Sequence, residues 1–269
     1  MSQRTERQLS GSQIVCESLI KEGVEVIFGF PGGVVLPLYD TLGQYPQLRH
    51  ILVRHEQGAV CAADGYARAL RKIGVCLATS GPGATNLITG IAGAHLDSSP
   101  VLAITGQVAS NLIGTDGFQE VDIIGAAVPF TKDRSQVRHT QDLASAIQRA
   151  IYLAQTGRPG PVLLDIPADV FKGSSEFNYP DKDPVIRGYG PRGMDKQDRI
   201  FLMEKQVDKA AKEIGRSQAP VIIAGRGIVI SGASSELQLL AEKIQAPVVS
   251  TLLGLSAFPQ DHPLGLGMI

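Results

Sequence analysis

The stretch RHEQGAVCAADGYARA, Arg54 to Ala69, joins the end of an apolar run to a helix built from very small residues, and its reading decides the fold. HILVR, His50 to Arg54, reads as a buried strand, because a strand covered on both faces is a near-continuous apolar run. Behind it Gly58, Ala59, Ala62, Ala63, Gly65, Ala67 and Ala69 leave room for a second backbone to approach closely. A strand that feeds directly into a helix is the repeating unit of a parallel α/β sheet. Glu56 stands at that junction, near the floor of a cleft. The plainer alternative is an acid favoured by the positive end of the helix dipole.

Two further segments repeat the arrangement. VIFGFPGGVVLPLYD, Val26 to Asp40, is an apolar strand, a break at Pro31 to Gly33, then a helix. ATSGPGATNLITG, Ala78 to Gly90, is a strand end, a turn at Gly81 to Gly83, then a helix opened by Ala84, Thr85 and Asn86. Three strand ends thus deliver two glycine turns and one carboxylate to one edge of a parallel sheet, which is where open α/β sheets bind ligands. Neither turn is a Walker loop, and neither has the Gly-x-Gly-x-x-Gly spacing of a dinucleotide fold. Each turn alone is more often a structural turn than a site.

Taken together, FGFPGG, RHEQGA, GYARA, TSGPGATN, TGQV, GTDGFQE, TGRPGPVLLDIP and VIIAGRG run in order from about residue 9 to the last residue. They resemble the acetohydroxyacid synthase (acetolactate synthase) catalytic subunits of the thiamine-diphosphate enzymes. GTDGFQE, Gly114 to Glu120, is nearer to the synthases than to their oxidase and decarboxylase relatives. Three positions depart from the usual pattern: Phe30 where tyrosine is common, Gly117 where alanine is common, and Ala168 where lysine is usual. The last puts in doubt a cation at the mouth of the active-site channel.

The resemblance implies cofactors, substrates and roles. Glu56 would hydrogen-bond the aminopyrimidine ring of thiamine diphosphate and tune it as the base for proton removal from the thiazolium. Gln119 would lie over the thiazolium and orient substrate. Pro31, Gly32 and Gly33 would line one edge of the pyrimidine, and Pro82, Gly83 and Asn86 the opposite wall. Arg158 would contact FAD, a guanidinium suiting its pyrophosphate, with Gly225, Arg226, Gly227, Thr251 and Leu252 holding the dinucleotide. Its plain alternative is a cap on the helix ending near Thr156. Mg2+ and the diphosphate would be held by a third domain whose Gly-Asp-Gly motif these 269 residues lack; no metal ligand is assigned within them. Pyruvate and 2-oxobutyrate are the implied substrates, in branched-chain amino acid biosynthesis. The implied assembly is a homodimer or tetramer with the site at the dimer interface, and a regulatory small subunit is a further partner. Asp116 and Glu120 read as loop-ordering acids, and His55 and His95 as structural. Another thiamine- and flavin-dependent enzyme such as a pyruvate oxidase, or a non-catalytic assembly module of the same fold, stays open as an alternative.

Composition is that of an ordinary enzyme piece. A net charge of −1 with scattered basic residues gives no footprint for nucleic acid or an anionic membrane. Cys16, Cys61 and Cys76 are odd in number and form no Cys-x-x-Cys pair, which points to reduced thiols and a cytoplasmic setting. No apolar run approaches membrane-spanning length.

The expected fold class is α/β: a parallel sheet covered by helices on both faces, followed by an incomplete second α/β domain. Apolar runs at 26 to 30, 50 to 54, 74 to 80, 101 to 105 and 161 to 166 mark the strands of a pyrimidine-binding domain over residues 9 to 168. Gln141 to Gln155 carries Leu143, Ile147, Ala150, Ile151 and Ala154 on one stripe of its last helix. Residues 169 to 196, rich in Gly, Pro and charge, read as a linker. From 197 to 269 two helices and two strands open a central FAD-contacting domain that breaks off in the middle, so these residues alone are expected to be inactive.

Overall fold

A computed structural model describes residues 7–186, Tyr189 and 196–269. The chain divides into two compact units, at Ile186 and Arg187. The first holds a six-stranded sheet made of β2 (Val26–Gly29), β3 (Arg49–Leu52), β4 (Gly74–Ala78), β5 (Val101–Gln107), β6 (Asp133–Gln136) and β7 (Val162–Pro167), preceded in the chain by β1 (Gln8–Ser10). Its order is β3-β2-β4-β5-β7-β6, and every pairing is parallel. Every residue of β4, β5 and β7 is buried, as a sheet covered on both faces requires.

On one face the helices Gly11–Lys21 and Leu143–Gln155 pack against each other. They bury Ile14, Val15 and Leu19 with Leu143, Ile147 and Ile151. A capping box starts the first of them: Gln13 donates its amide N–H to Ser10 Oγ at 3.2 Å, and Ser10 N–H donates to Gln13 Oε1 at 2.9 Å. On the other face the helices Glu56–Leu70 and Ile88–Leu96 close over Cys76, Ala78, Val101 and Ala103. Their approach is tight. A Cβ on Gly90 would lie 2.2 Å from Val60 Cγ1, and one on Gly74 2.1 Å from the Ala63 carbonyl oxygen.

The small residues of Glu56–Leu70 therefore serve two faces. Ala59, Ala63 and Ala67 are buried against the sheet, whereas Gly58, Gly65 and Ala69 are exposed and Ala62 half-buried. A Cβ on Gly58 or Gly65 would meet nothing within 4 Å.

The first unit differs from the sequence reading in three places. β3, read as a buried strand, is an edge strand with no buried residue, because only β2 pairs with it. β6, Asp133–Gln136, has no apolar run because it is an edge strand of four half-buried polar residues paired only with β7. The segment expected as a linker begins inside the first unit: Ala168–Lys172 is a short helix, and β8 (Ser174–Glu176) pairs antiparallel with β1. Of that expected linker, residues 187, 188 and 190–195 lie outside the described residues.

The second unit holds the helix Lys196–Arg216, then β9 (Ile222–Ala224), the helices Arg226–Ser231 and Ser234–Ile244, β10 (Val248–Ser250) and β11 (Gly265–Met268). The three strands form a parallel sheet in the order β11-β10-β9. β11, three of whose four residues are Gly or Met, is one strand more than the two expected. The core gathers Ala224, Leu237, Ala241, Val248, Ala257 and Phe258 on one face of that sheet.

Candidate active site

From β2 the chain goes to β3 on one side of the sheet and then returns to β4 on the other, so the order reverses between β2 and β4. A crevice opens at the carboxyl ends of the strands at such a reversal. The loop after β2 carries Pro31, Gly32 and Gly33 into it; after β4 come Gly81 and the short helix Pro82–Thr85 that it caps, which carries Pro82 and Gly83.

Thr79 joins the two loops. A Cβ on Gly32 would lie 2.5 Å from Thr79 Cβ and Cγ2, and one on Gly83 2.6 Å from Thr79 Cγ2. Both glycines are thus dictated by one side chain, which sequence reasoning passed over because a threonine ending a strand has no signature. Thr79 Oγ1 and Ser80 Oγ are buried at this edge without a hydrogen-bond partner.

Glu56 is the first residue of its helix and only 8% exposed. Asn86 Nδ2 donates to its Oε2 at 2.9 Å, and a Cβ on Gly83 would stand 3.2 Å from its Oε1. The carboxylate, set four residues beyond β3, is therefore fixed from the β4 side of the crevice. His55 caps the helix, its Nδ1 accepting from Gln57 N–H at 3.1 Å. Nearby, burial and then the Glu56 charge push the Tyr39 phenol pKa up. The Tyr39 ring meets the His50 ring edge-on at 4.9 Å.

Gln119 is brought to the same place. Gly81 has φ +59° and ψ −124°, and a Cβ there would be 2.8 Å from the Gln119 carbonyl oxygen and 2.9 Å from its Cβ. The loop rides on the glycine turn after β4. Glu120 orders that loop from within: its carboxylate accepts from the amides of Gly114, Thr115 at 3.3 Å and Gly117 at 3.0 Å. The amides of Gly114 and then Gly117 hold its pKa below the usual carboxylate range.

Arg158 is not with them. It precedes β7 at the opposite edge of the sheet, where Nε donates to Ser98 Oγ at 2.7 Å and Nη2 to the carbonyls of His95 and Leu96 at 3.2 Å. It thereby caps the helix Ile88–Leu96, not the helix ending near Thr156. In the second unit Gly225–Arg226–Gly227 follow β9 and Thr251–Leu252 follow β10, so the two segments share one sheet edge. Thr251 N–H donates to Ala224 O at 2.9 Å, and a Cβ on Gly225 would lie 3.8 Å from Thr251 Oγ1. Among the described residues no group of three or more His, Cys, Asp or Glu side chains is placed to hold a metal, and no helix is long and apolar enough to cross a membrane.

Residues 9–126, which include the whole crevice and Gln119, match the thiamine pyrophosphate enzyme N-terminal TPP binding domain, and residues 207–269 match the thiamine pyrophosphate enzyme central domain. The chain belongs to the thiamine pyrophosphate enzymes. Within that family it is 49% identical over 263 residues to a probable acetolactate synthase large subunit of Methanocaldococcus jannaschii, a match covering 97% of this chain and 43% of the relative. It is 48% identical over 262 residues to the acetolactate synthase large subunit of Buchnera aphidicola, covering 97% and 45%. With an acetolactate synthase of Arthrospira platensis it shares 46% identity over 267 residues, covering 98% and 45%. The chain spans less than half the length of these curated relatives. Arg158 lies outside both matched domains, whereas Gly225 to Gly227, Thr251 and Leu252 lie inside the central one.

Proposed function

We propose that this chain is the pyrimidine-binding and flavin-contacting part of an acetohydroxyacid synthase catalytic subunit, which decarboxylates pyruvate and joins the remaining two-carbon unit to pyruvate or 2-oxobutyrate. The observation that carries the reading is Glu56, buried in the crevice and held by Asn86. The names of relatives sharing almost half of its residues support the specific reaction. The crevice fits half of thiamine diphosphate. Its glycines keep backbone close to a flat ring, Glu56 offers a carboxyl to a ring nitrogen, and Thr79 Oγ1 and Ser80 Oγ add buried polar atoms without partners. Bound there, the cofactor supplies the electron sink for decarboxylation and the carbon nucleophile for ligation.

The chain's own part is binding, proton handling and exclusion of water. Glu56 holds or shares a proton at the pyrimidine ring, with Asn86 keeping its other oxygen aimed. Pro31 to Gly33 and Pro82 and Gly83 form the walls. Gln119, carried on the Gly81 turn, orients the 2-oxoacid. We assign Mg2+ and the diphosphate to residues outside these 269, in keeping with the share of its relatives that the chain spans.

FAD is the proposed second cofactor, held by Gly225, Arg226, Gly227, Thr251 and Leu252; the shared sheet edge of the two segments supports this. The proposed assembly is a homodimer or tetramer using the exposed Gly58, Ala62, Gly65 and Ala69 face, with a regulatory small subunit as further partner and the cytoplasm as compartment. The test is product analysis of the purified protein, expressed from its complete reading frame and supplied with pyruvate. Acetolactate supports the synthase; acetyl phosphate or acetate would point to a pyruvate oxidase, and no product to an assembly module.

A further inference from the structure

We propose that Gln107, Asp165 and Asp169 are positioning residues for Gln119, acting on it through the two roots of the loop that carries it. This rests on the substrate-orienting role given to Gln119 above.

Between the end of β5 and the helix Ile123–Ala126 the chain makes a largely exposed loop with two non-glycine residues in the left-handed region, Asp116 at φ 56° and Gln119 at φ 60°. Such conformations persist only where the surroundings impose them. At the first root, Ser110 donates its amide N–H and its hydroxyl to Asp169 Oδ1 at 2.9 and 3.1 Å. At the second, Gln107 Nε2 donates to the Val121 carbonyl at 2.9 Å and to Asp165 Oδ2 at 3.2 Å. Gln107 Oε1 accepts from Val108 N–H at 3.0 Å, so the amide is oriented from both ends.

Asp165 is fully buried in β7, an otherwise apolar strand. Thr105 Oγ1 donates to its Oδ1 at 2.7 Å, and Gln136 Nε2 to its Oδ2 at 3.0 Å. A carboxylate with only neutral donors around it is a costly occupant for a strand that an apolar residue would fill. What it accomplishes is to fix Gln107 under Val121. Asp169 stands four residues further on, in the helix that β7 feeds, and takes the other root. The end of one strand thus holds both ends of the loop, while Glu120 ties its middle and Gly81 supports Gln119 from below.

The test uses the protein from its complete reading frame, as Gln107→Leu, Asp169→Ala, Asp169→Asn, Gln119→Ala and the doubles with Gln119→Ala. Amide hydrogen exchange over residues 110–121 is read beside the ratio of ligated to unligated product and the affinity for thiamine diphosphate. Losing a root should raise loop exchange at least about tenfold, since each variant removes two or more hydrogen bonds, while β4 and β5 stay protected. Product ratio should shift in the direction set by Gln119→Ala, cofactor affinity should hold, and a root variant added to Gln119→Ala should cost little more, because the two act on one thing. Asp169→Asn, which keeps an oxygen for both Ser110 donors, should restore the parent's behaviour. Unchanged loop exchange, losses that multiply in the doubles, or β5 exchange rising with the loop would overturn the proposal. If Gln119→Ala alone leaves the product ratio untouched, the role given to Gln119 is refuted, and the exchange measurement separately decides whether these residues hold the loop.

Discussion

A Cβ on Gly83 would stand 2.6 Å from Thr79 Cγ2 and 3.2 Å from Glu56 Oε1, so one substitution probes packing and site together. Gly83→Ala should destabilise the protein by about 1–3 kcal/mol through overpacking. Thr79→Ser in that background removes Cγ2 and should recover most of the melting temperature without recovering activity, since the new methyl still presses on Glu56. Recovery of both together would show that Glu56 tolerates displacement. Asn86→Ala should lower turnover while leaving the fold intact, because it frees one oxygen of Glu56 without removing the acid; turnover equal to the parent's would make Asn86 a bystander. At this scale the sequence was generous with Glu56, Gly32 and Gly83, whose types betray them. It was silent on Thr79 and on the Asn86–Glu56 bond, because partners thirty residues apart in sequence meet only once the strand order is known.

Among the elements, the loop bearing Gln119 carries a pH signature. At Asp169 burial opposes ionisation, but the Ser110 amide and hydroxyl outweigh it and hold the pKa below its ordinary 3.8. The amides of Gly114 and Gly117 hold Glu120 below its ordinary 4.5. Both folded values are depressed, so what these acids contribute to loop order is complete above the ordinary values and lost as pH falls through the depressed ones. Burial raises the pKa of Asp165, which gives the opposite sign: its contribution is present below 3.8 and declines as pH rises through its folded value. Protection of the Gly114–Glu120 amides, which Glu120 itself holds, should therefore fall as pH drops below the ordinary carboxylate range, ahead of global unfolding. Loss of loop protection only together with the β4 and β5 amides would contradict this. The buried strands β4, β5 and β7 and the half-buried β2 were legible as apolar runs. β6 and β8 were not, because an edge strand and a two-stranded pairing of polar residues bury too little to leave a pattern.

At the scale of the whole molecule, the helix Glu56–Leu70 divides its small residues between a buried face and an exposed one, and the exposed one includes Cys61. Burial pushes the thiols of Cys16 and Cys76 up to about 12, so both should resist alkylation. If the exposed face is the subunit contact, Cys61 should be alkylated slowly in the assembled protein and quickly after dilution or Gly65→Trp, with the loss of assembly seen in sedimentation. Fast alkylation in the intact assembly would move the contact elsewhere. The central claim concerns the carboxyl in the crevice, and the most direct measurement is hydrogen–deuterium exchange at C2 of thiamine diphosphate bound to the protein from its complete reading frame, parent against Glu56→Gln. The account predicts exchange slowed about 100-fold to 10,000-fold in the variant with the cofactor still bound; exchange at the parent's rate would contradict it.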